Sequence, residues 1–155
     1  MRLVLQRVAR ASVSVDGAPV ASIGRGLLVL AGFGPGDGPG APDAPWWRAM
    51  LEKMLKMRVF SDDAGKMNLS VQDVSGQVLL VSQFTLYADC RKGLRPGFSG
   101  AAAPDVASAL FDRLCADVEA RLPGRVGRGV FGADMAVELV NQGPVTILLD
   151  SAEFA

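Results

Sequence analysis

The sequence predicts an α+β protein, folded as a single compact domain over residues 1–155 with a mainly antiparallel or mixed, barrel-like β-sheet and two main helices. Short apolar or alternating segments, bounded by glycine, proline and aspartate, recur along the chain and outnumber the helical segments. Only two segments show the 3.6-residue apolar spacing of an amphipathic helix. The length of 155 residues fits one domain with its own core.

The first thirty residues predict an antiparallel opening. Arg2–Val8 and Ser12–Val15 have strand patterns, and the second alternates cleanly. Asp16–Gly17 is a hairpin signal that leads into a strand at Pro19–Ala21. Gly26–Ala31 is a continuous apolar run, which is typical of a strand covered on both faces.

A segment rich in glycine and proline, residues 32–42, follows this run. Its position after a strand and before a helix would suit a phosphate-binding loop. However, its glycines do not follow the G-x-G-x-x-G spacing, and no Gly-Lys-Ser/Thr follows them. Its prolines also remove amide donors that a phosphate would need. We therefore expect a plain surface loop.

The two helices have recognisable starts. We expect Asp43 to cap the first helix, with Pro45 in its first turn, and Asp105 to cap the second, which ends near Pro123–Gly124. The apolar face of the first helix is predicted to contain Trp47, Met50, Leu51 and Met54. That of the second is predicted to contain Val106, Ala109, Leu110, Arg113, Leu114 and Val118.

The strands of the central region follow the first helix. Arg58–Phe60 and Met67–Ser70 are predicted as short strands, joined by a solvated turn at Asp62–Gly65. Gln77–Leu86 is predicted as one strong strand that is apolar at its start and polar at its end. This change of character places hydroxyl and amide groups at the end of a buried strand.

The last two predicted strands are Met135–Val140 and Val145–Leu149, joined by Asn141–Pro144. The Gly-Pro pair in this connection is most simply an ordinary hairpin turn. The alternative is that Gly143, next to Pro144, leaves main-chain carbonyls unshielded by side chains. Such a bare segment can approach a ligand closely.

The composition excludes several kinds of chemistry. The chain has no histidine, and its 16 Lys+Arg balance 16 Asp+Glu. Without an imidazole, a Ser-His-Asp or Cys-His catalytic set, a His-ligated zinc and a histidine pH switch are impossible. The zero formal net charge argues against an overall basic field for nucleic acid but leaves open a local basic patch. We expect no metal and no cofactor.

Cysteine use and the N-terminal sequence bear on location. Cys90 and Cys115 form no C-x-x-C pair, so we expect two reduced thiols. Basic residues interrupt the first apolar segment, and no stretch approaches the ~18 apolar residues of a membrane span. We therefore expect a cytoplasmic protein with no signal segment and no membrane partner.

Two further segments suit a site. The polar groups of Ser82, Gln83 and Thr85 follow a buried strand, so they either bond to neighbouring backbone or face a cleft. A later loop carries three cations in five residues, followed by an aromatic residue. The cations are Arg91, Lys92 and Arg95. They could contact phosphates, although solvated basic loops are common.

Taken together, several blocks resemble the D-aminoacyl-tRNA deacylase family. In family order, over nearly the whole chain, they are Gln6–Val8, Ala11–Val13, Phe60–Asp62, Gly65–Leu69, Ser82–Leu86, Gly93–Pro96 with Phe98–Ser99, Phe131–Met135 and Asn141–Thr146. The segments S-Q-F-T-L and N-x-G-P-V-T together are specific. The chain departs from the family pattern at Arg128–Gly129, where Thr-Gly is common, and at Gln142, where an acidic residue is common.

The resemblance implies an enzyme that hydrolyses the ester between a D-amino acid, or glycine, and the terminal adenosine of tRNA. It implies a homodimer with active sites at the interface. The implied catalytic residues are Ser82, Gln83, Phe84 and Thr85. The residues implied in substrate binding and chiral selection are Gly143 and Pro144, acting across the interface as a cis peptide, together with Asn141, Arg7, Met135 and Phe131. Arg91, Lys92 and Arg95 are expected to contact tRNA weakly.

A protein without histidine needs another catalytic device. We expect main-chain amides at the end of the S-Q-F-T-L strand to stabilise the oxyanion, with the 2′-hydroxyl of the substrate helping to activate water. Thr85 is expected to be an orienting group. Two alternatives stay open: a relative with a trans Gly-Pro that accepts some L-aminoacyl esters, and a non-catalytic nucleic-acid-binding module of the same fold.

Overall fold

The computed structural model describes residues 1–154, within which eight strands and two α-helices follow one another. The strands are β1 (Arg2–Val15), β2 (Ala18–Ile23), β3 (Gly26–Gly32), β4 (Phe60–Ser61), β5 (Met67–Leu69), β6 (Gln77–Ser82), β7 (Val126–Arg128) and β8 (Met135–Asp150). The helices are α1 (Pro45–Lys56) and α2 (Pro104–Glu119). Short 3-10 turns lie at Ala41–Asp43, Phe84–Tyr87 and Ser151–Glu153.

Six strands form one mixed sheet. Its order is β2-β1-β3-β6-β7, and β8 pairs along the other edge of β1. The pairs made by β1 are antiparallel, whereas β3–β6 and β6–β7 are parallel. Because β2 also contacts β6 and β7, the sheet curls into a nearly closed barrel. Strands β4 and β5 form a separate antiparallel pair. The predicted fold class is confirmed.

The core occupies both faces of the central strands. The larger cluster packs one face of β1, β3 and β6 against α1 and α2, with Trp47, Phe60 and Phe111 as its largest side chains. A smaller cluster on the opposite face contains Leu28 and Leu79. The apolar run in β3 is buried on both faces, as predicted. No helix within residues 1–154 has the length and apolar character needed to cross a membrane.

The antiparallel opening is confirmed, with one long strand in place of two. Arg2–Val15 is continuous because β8 pairs with both of its halves, with irregularities at Arg7 and Ala9. The predicted hairpin turn is present, and Asp16 and Gly17 both have positive φ, 50° and 76°. This geometry matches the type I′ turn that joins twisted antiparallel strands.

The predicted caps of both helices are wrong. Asp43 lies in the 3-10 turn before α1, and Ala44 is the N-cap. Asp105 lies inside the first turn of α2, which Ala103 precedes as N-cap. In both helices a proline occupies the first position, where its missing N–H costs nothing, so the residue before the proline becomes the cap.

The buried face of α1 is as predicted, but that of α2 is rotated. Ala109 and Arg113 are exposed, although they were expected on the apolar side. The buried residues of α2 are Ala107, Leu110, Phe111, Leu114, Cys115 and Val118. Phe111 is fully buried, so its large side chain sets the orientation of the helix. Burial also raises the pKa of Cys115 to about 11, which leaves this thiol protonated and unreactive at neutral pH.

Four predicted strands have different bounds. The strand predicted at Arg58–Phe60 lies instead at Phe60–Ser61. The strand predicted at Gln77–Leu86 ends at Ser82, because its neighbour β3 ends at Gly32 and supplies no further partners. The two final strands and their hairpin are instead one strand, β8, which pairs with β1 on both sides of the Gly-Pro segment.

The segment rich in glycine and proline is only partly a surface loop. Pro35, Gly36, Pro39 and Gly40 are exposed, as expected. Asp37, however, turns inward and is 8% exposed. Its carboxylate accepts a hydrogen bond from the Gly34 amide at 2.7 Å, so the loop folds around a buried acid.

Candidate active site

A cleft of about 690 Å³ opens at the end of β6. One wall is the end of the strand, Ser82–Phe84, and the opposite wall is the segment that enters β8, Phe131–Met135. The floor and rim come from Val81, Phe98, Ala101, Ala102, Ala103, Pro104, Ala107 and Val137. The cleft is therefore mostly apolar, with a few polar groups at one end, as binding sites for small groups commonly are.

The polar end of the cleft is the turn that follows β6. The Gln83 amide makes the last ladder bond, to the Ala31 carbonyl at 2.7 Å, and the chain then tightens into the 3-10 turn Phe84–Tyr87. The first amides of such a turn have no acceptor within it. Within residues 1–154, the amides of Phe84 and Thr85 donate to no other group. The turn thus offers two free main-chain donors beside the cleft.

The side chain of Thr85 is fixed by its neighbour. Its Oγ1 accepts a hydrogen bond of 2.6 Å from Nε2 of Gln83. Thr85 is exposed and does not line the cleft, whereas Ser82, Gln83 and Phe84 do. In this bond the hydroxyl oxygen is the acceptor, and within residues 1–154 no basic side chain is hydrogen-bonded to Thr85 to remove its proton.

Aromatic side chains border the cleft. Phe84 and Phe98 meet edge to face with ring centroids 5.0 Å apart, and both are partly exposed, at 53% and 42%. Phe131 is half-buried and packs on Phe111 of α2, with centroids 6.3 Å apart. These rings give the cleft an apolar, aromatic rim.

Gly129 packs against the side chain of Met135. A Cβ at position 129 would stand 2.7 Å from the Met135 sulfur, so a larger residue there would displace the end of the Met135 side chain at the cleft wall. The neighbouring Arg128, where the family commonly has threonine, points to α2 and pairs with Asp112 at 2.7 Å. Arg128 is not among the residues that line the cleft.

The Gly143–Pro144 segment lies elsewhere on the chain. In the β1–β8 ladder Gln6 pairs with Thr146 and Val8 with Asn141, so residues 142–145 oppose only Arg7 and bulge outward. Gly143 and Pro144 are exposed, and the peptide bond between them is cis. Their main chain is therefore presented to the outside of the molecule.

Side chains hold this bulge at both ends. Arg7 Nε donates to the Gln142 carbonyl at 2.8 Å, and its Nη1 donates to the Val59 carbonyl. Asn141 Oδ1 accepts from the Val145 amide at 2.9 Å. Asn141 Nδ2 donates to Thr146 Oγ1, also at 2.9 Å. Arg7 and Asn141 thus act on the bulge rather than on the cleft.

The sequence-predicted site residues fall into two groups within one chain. Ser82, Gln83, Phe84, Phe131 and Met135 line the large cleft. Gly143, Pro144, Asn141 and Arg7 do not line it. Arg7 instead lines a second cleft, of about 440 Å³, at the base of the bulge. Within one chain the two groups therefore do not line the same cleft.

The basic loop is less positive than its sequence suggests. Arg91 forms a two-pronged ion pair with Asp89, and this hydrogen bonding raises the pKa of Arg91 and lowers the pKa of Asp89. Lys92 and Arg95 are exposed and belong to none of the ion pairs of residues 1–154. Paired Asp89 and Gly97 backbones close the loop, which then leads to the cleft rim.

The sequence analysis misses the part of the floor and rim formed by residues 101–104. The Ala102 amide donates to the Phe33 carbonyl at 2.9 Å, which fixes this segment to the end of β3. Alanines carry no chemical signal. The single sequence cue is their position directly before the proline that starts a helix.

Comparison with known proteins identifies the family of this chain. The sequence model of the family described as D-Tyr-tRNA(Tyr) deacylase matches residues 4–150. The chain belongs to this family. It is 62% identical over 153 residues to a D-aminoacyl-tRNA deacylase of Solidesulfovibrio magneticus, covering 99% of this chain and 97% of that one. It is 58% identical over 153 residues to one of Nitratidesulfovibrio vulgaris strain DP4, covering 99% and 94%. The family resemblance found in the sequence is confirmed.

Two solved structures have the same fold as this family member. One is described as c-Myc DNA Unwinding Element Binding Protein, with a TM-score of 0.87, 38% identity and coverage of 97% of this chain and 98% of that one. The other is described as a probable eukaryotic D-amino acid tRNA deacylase, with a TM-score of 0.79, coverage of 96% and 97%, and 23% identity. The second shows the shared fold alone.

Proposed function

We propose that this protein hydrolyses the ester that joins a D-amino acid, or glycine, to the terminal adenosine of tRNA. The observation that carries this proposal is the cleft at the S-Q-F-T-L turn, where two main-chain amides are free beside an aromatic rim. Relatives of 58% and 62% identity that are named D-aminoacyl-tRNA deacylases support the substrate class. The reaction removes wrongly charged tRNA, so we place it in the cytoplasm with translation.

The proposed mechanism uses main chain and substrate groups. Water attacks the ester carbonyl carbon, and the amides of Phe84 and Thr85 stabilise the resulting oxyanion. The adenosine 2′-hydroxyl relays one proton of the water to the departing 3′-oxygen, which leaves the amino acid as its free carboxylic acid. An aminoacyl ester is already activated, so positioning and oxyanion stabilisation of a few kcal/mol are sufficient. No cofactor takes part in this scheme.

Thr85 is proposed as an orienting group. Its hydroxyl accepts the hydrogen bond from Gln83 and has no other side-chain partner in residues 1–154. Nucleophilic catalysis would require a base within reach of that hydroxyl. The bond instead fixes the Gln83 amide group across the start of the turn, and this stiffens the two free main-chain donors.

We propose that the active form is a homodimer in which each Gly143–Pro144 bulge reaches the cleft of the partner. Support comes from the separation of the two residue groups, since one chain does not bring them together. In a dimer with a two-fold axis, each bulge would meet the cleft of the other protomer, so both sites would be completed at once. The outer edge of β8 pairs with no strand in residues 1–154, and Val140 and Leu148 on β8 are exposed. Unpaired apolar edges of this kind favour association.

The bulge also suits selection between mirror-image amino acids. We propose that carbonyls of Gly143 and Pro144 hold the α-ammonium of the substrate, so that the side chain of an L-amino acid would collide with main chain. Glycine has no side chain to collide and would pass. Arg7 supports this segment through its bond to the Gln142 carbonyl. Lys92 and Arg95 are proposed as weak contacts to the tRNA.

A second candidate is a non-catalytic nucleic-acid-binding module. It is favoured by the likeness to the protein described as a c-Myc DNA unwinding element binding protein, at 38% identity. A third, an enzyme that also accepts L-aminoacyl esters, differs only in its substrate range.

One experiment separates the three candidates. The same tRNA is charged with a D-amino acid, its L-enantiomer or glycine, and the rate of ester loss is measured with excess enzyme. We expect fast loss of the D-aminoacyl and glycyl esters and no acceleration for the L-ester. Acceleration of all three identifies the relaxed enzyme. Binding of tRNA without acceleration of any ester contradicts the proposed function.

A further inference from the structure

The second cleft, at the base of the Gly-Pro bulge, has no role in the chemistry described above. It measures about 440 Å³ and is lined by Arg7, Ala9, Arg25, Phe60, Ser61 and Gln142. Two of the six side chains are guanidinium groups, and none is a carboxylate. A cleft with cations and no anions attracts a negatively charged ligand.

In the described part of the chain, neither arginine of this cleft forms an ion pair with a carboxylate. Arg2, Arg48, Arg91, Arg113 and Arg128 each pair with a carboxylate. Arg7 and Arg25 take part in none of the ion pairs of residues 1–154. Arg7 donates to two main-chain carbonyls, Gln142 and Val59, so its positive charge is solvated by dipoles and is not neutralised.

Arg25 is positioned with its hydrogen-bond donors free. Its backbone is fixed in the turn between β2 and β3, where its carbonyl accepts from the Gln77 amide at 3.1 Å. Its guanidinium carbon lies 5.3 Å from the ring centroid of Phe60, which is buried in the core. The side chain donates no hydrogen bond within residues 1–154, so all five donors remain for a ligand.

The register of the sheet brings these groups to one place. In the β1–β3 ladder Arg7 pairs with Leu27 and Val8 with Gly26. Arg25 and Ala9 are the next residues beyond this last pair, so they lie side by side. The exposed Ser61 of β4 adds a hydroxyl to the same cleft. A guanidinium fork together with a hydroxyl donor matches the oxygen geometry of a phosphate.

We propose that this cleft binds a backbone phosphate of the single-stranded 3′ end of tRNA. The proposal rests on the proposed function for its ligand. Gln142 joins the cleft to the bulge that reaches the partner's active cleft, so a strand that leaves the partner's cleft would pass beside Arg25. With a formal net charge of zero, the protein needs local cations of this kind to hold a polyanion.

Binding of uncharged tRNA tests the cleft without reference to catalysis. The variants are Arg25→Gln and Arg25→Lys, and the matched control is Arg48→Gln, which removes one exposed charge from α1. Fluorescence anisotropy gives Kd at several salt concentrations. We expect Arg25→Gln to weaken binding about tenfold and to lower the slope of log K against log salt by about 0.7, the value for one phosphate of a single strand. We expect Arg25→Lys to have the same slope of log K against log salt as the wild type. Equal effects of Arg25→Gln and Arg48→Gln overturn the proposal.

Kinetics distinguish a phosphate contact from an indirect effect on the active cleft. A D-aminoacyl ester of adenosine alone has no phosphate, so Arg25→Gln should raise KM for the charged tRNA about tenfold more than for this small ester. An equal rise for both substrates overturns the proposal. A wild-type protein that deacylates neither substrate refutes the proposed function, while the anisotropy result still decides the role of Arg25.

A free inorganic anion is the alternative ligand for this cleft. Inorganic phosphate is titrated into wild-type and Arg25→Gln protein by calorimetry. Competition between inorganic phosphate and tRNA that is lost in Arg25→Gln supports the proposal. If inorganic phosphate binds through Arg25 but the affinity for tRNA does not change, the cleft is a site for a free anion. This result overturns the proposal. Thermal unfolding of each variant verifies that the fold is retained.

Discussion

At the scale of single residues, Gly143 has the most demanding position in the bulge. Its φ of 133° is one that residues with a side chain rarely adopt. A Cβ there would lie 2.7 Å from Arg7 Nη2 and 3.0 Å from Val145 Cγ2. The residue therefore needs both the conformational freedom and the small size of glycine.

We expect Gly143→Ala to lower the free energy of unfolding by about 1–2 kcal/mol, because of backbone strain and the displaced Arg7. The same displacement moves the main-chain carbonyls of the bulge, so hydrolysis of D-aminoacyl and glycyl esters should fall alike. Single-turnover deacylation and chemical denaturation measure the two effects. Gly36→Ala is the control, since nothing lies within 4 Å of its added Cβ. Wild-type kinetics in Gly143→Ala would contradict the role of the bulge.

Thr85 gives a second prediction at this scale. Replacement with alanine removes the acceptor for Gln83 Nε2 but leaves both main-chain donors, so we expect deacylation to slow about tenfold while tRNA binding stays normal. Thr85→Ser should restore most of the rate. Loss of all acceleration in Thr85→Ala, with normal binding, would identify Thr85 as the nucleophile.

At the scale of elements, the end of β6 decides the shape of the candidate site. The strand stops at Ser82, and the turn that follows is anchored by Tyr87, whose ring packs on Gly34 and under the Arg2 guanidinium, 4.5 Å from its centroid. Burial, and then the carboxylates of Asp37 and Asp150, raise the pKa of Tyr87 to about 12. The turn and the loop of residues 32–42 are thus packed as one unit.

This packing predicts a pH dependence at high pH. The ordinary pKa of tyrosine is 10.0, and the fold favours the neutral phenol, so the stabilisation is complete below pH 10 and is lost as the pH rises toward about 12. The chain has one tyrosine, so tyrosinate absorbance reports Tyr87 alone. We expect a midpoint near 12 in the folded protein and near 10 in denaturant. A folded midpoint near 10 would show that the turn is not packed. The Tyr87→Phe variant contains no tyrosine and gives the background absorbance.

At the scale of the whole molecule, the separation of the two site groups predicts function in trans. Gly143→Ala disables the bulge, and Ala133→Trp fills the cleft that Ala133 lines. If the bulge acts on the partner, a mixed dimer has one intact site. After unfolding and refolding of a 1:1 mixture, about one quarter of all sites should be unaltered, although neither variant alone has an unaltered site.

Absence of any recovered activity would contradict function in trans. Each chain would then supply its own bulge, or the protein would act as a monomer. Sedimentation of the wild type measures the oligomeric state directly. Two wild-type samples, mixed and refolded in the same way, control for losses during refolding.

Much of the fold follows from local sequence signals. The turn at Asp16–Gly17, the apolar run of β3 and the buried face of α1 are all as predicted, because each depends on residues within one element. The blocks S-Q-F-T-L and N-x-G-P-V-T likewise identified the family, and both lie at surface features of the structure. The two helix caps failed because proline at the first position outweighed a nearby aspartate.

The sequence by itself determined the family, the fold class and which short segments carry unusual main chain. Only the tertiary structure decided that residues 142–145 form a bulge and not a hairpin, because the answer depends on β1 continuing as a partner on both sides of Arg7. It also decided that Arg25, from a distant turn, joins Arg7 in one cleft. Hydrogen-bond partners and neighbours in space come from remote parts of the chain, so local pattern does not contain them.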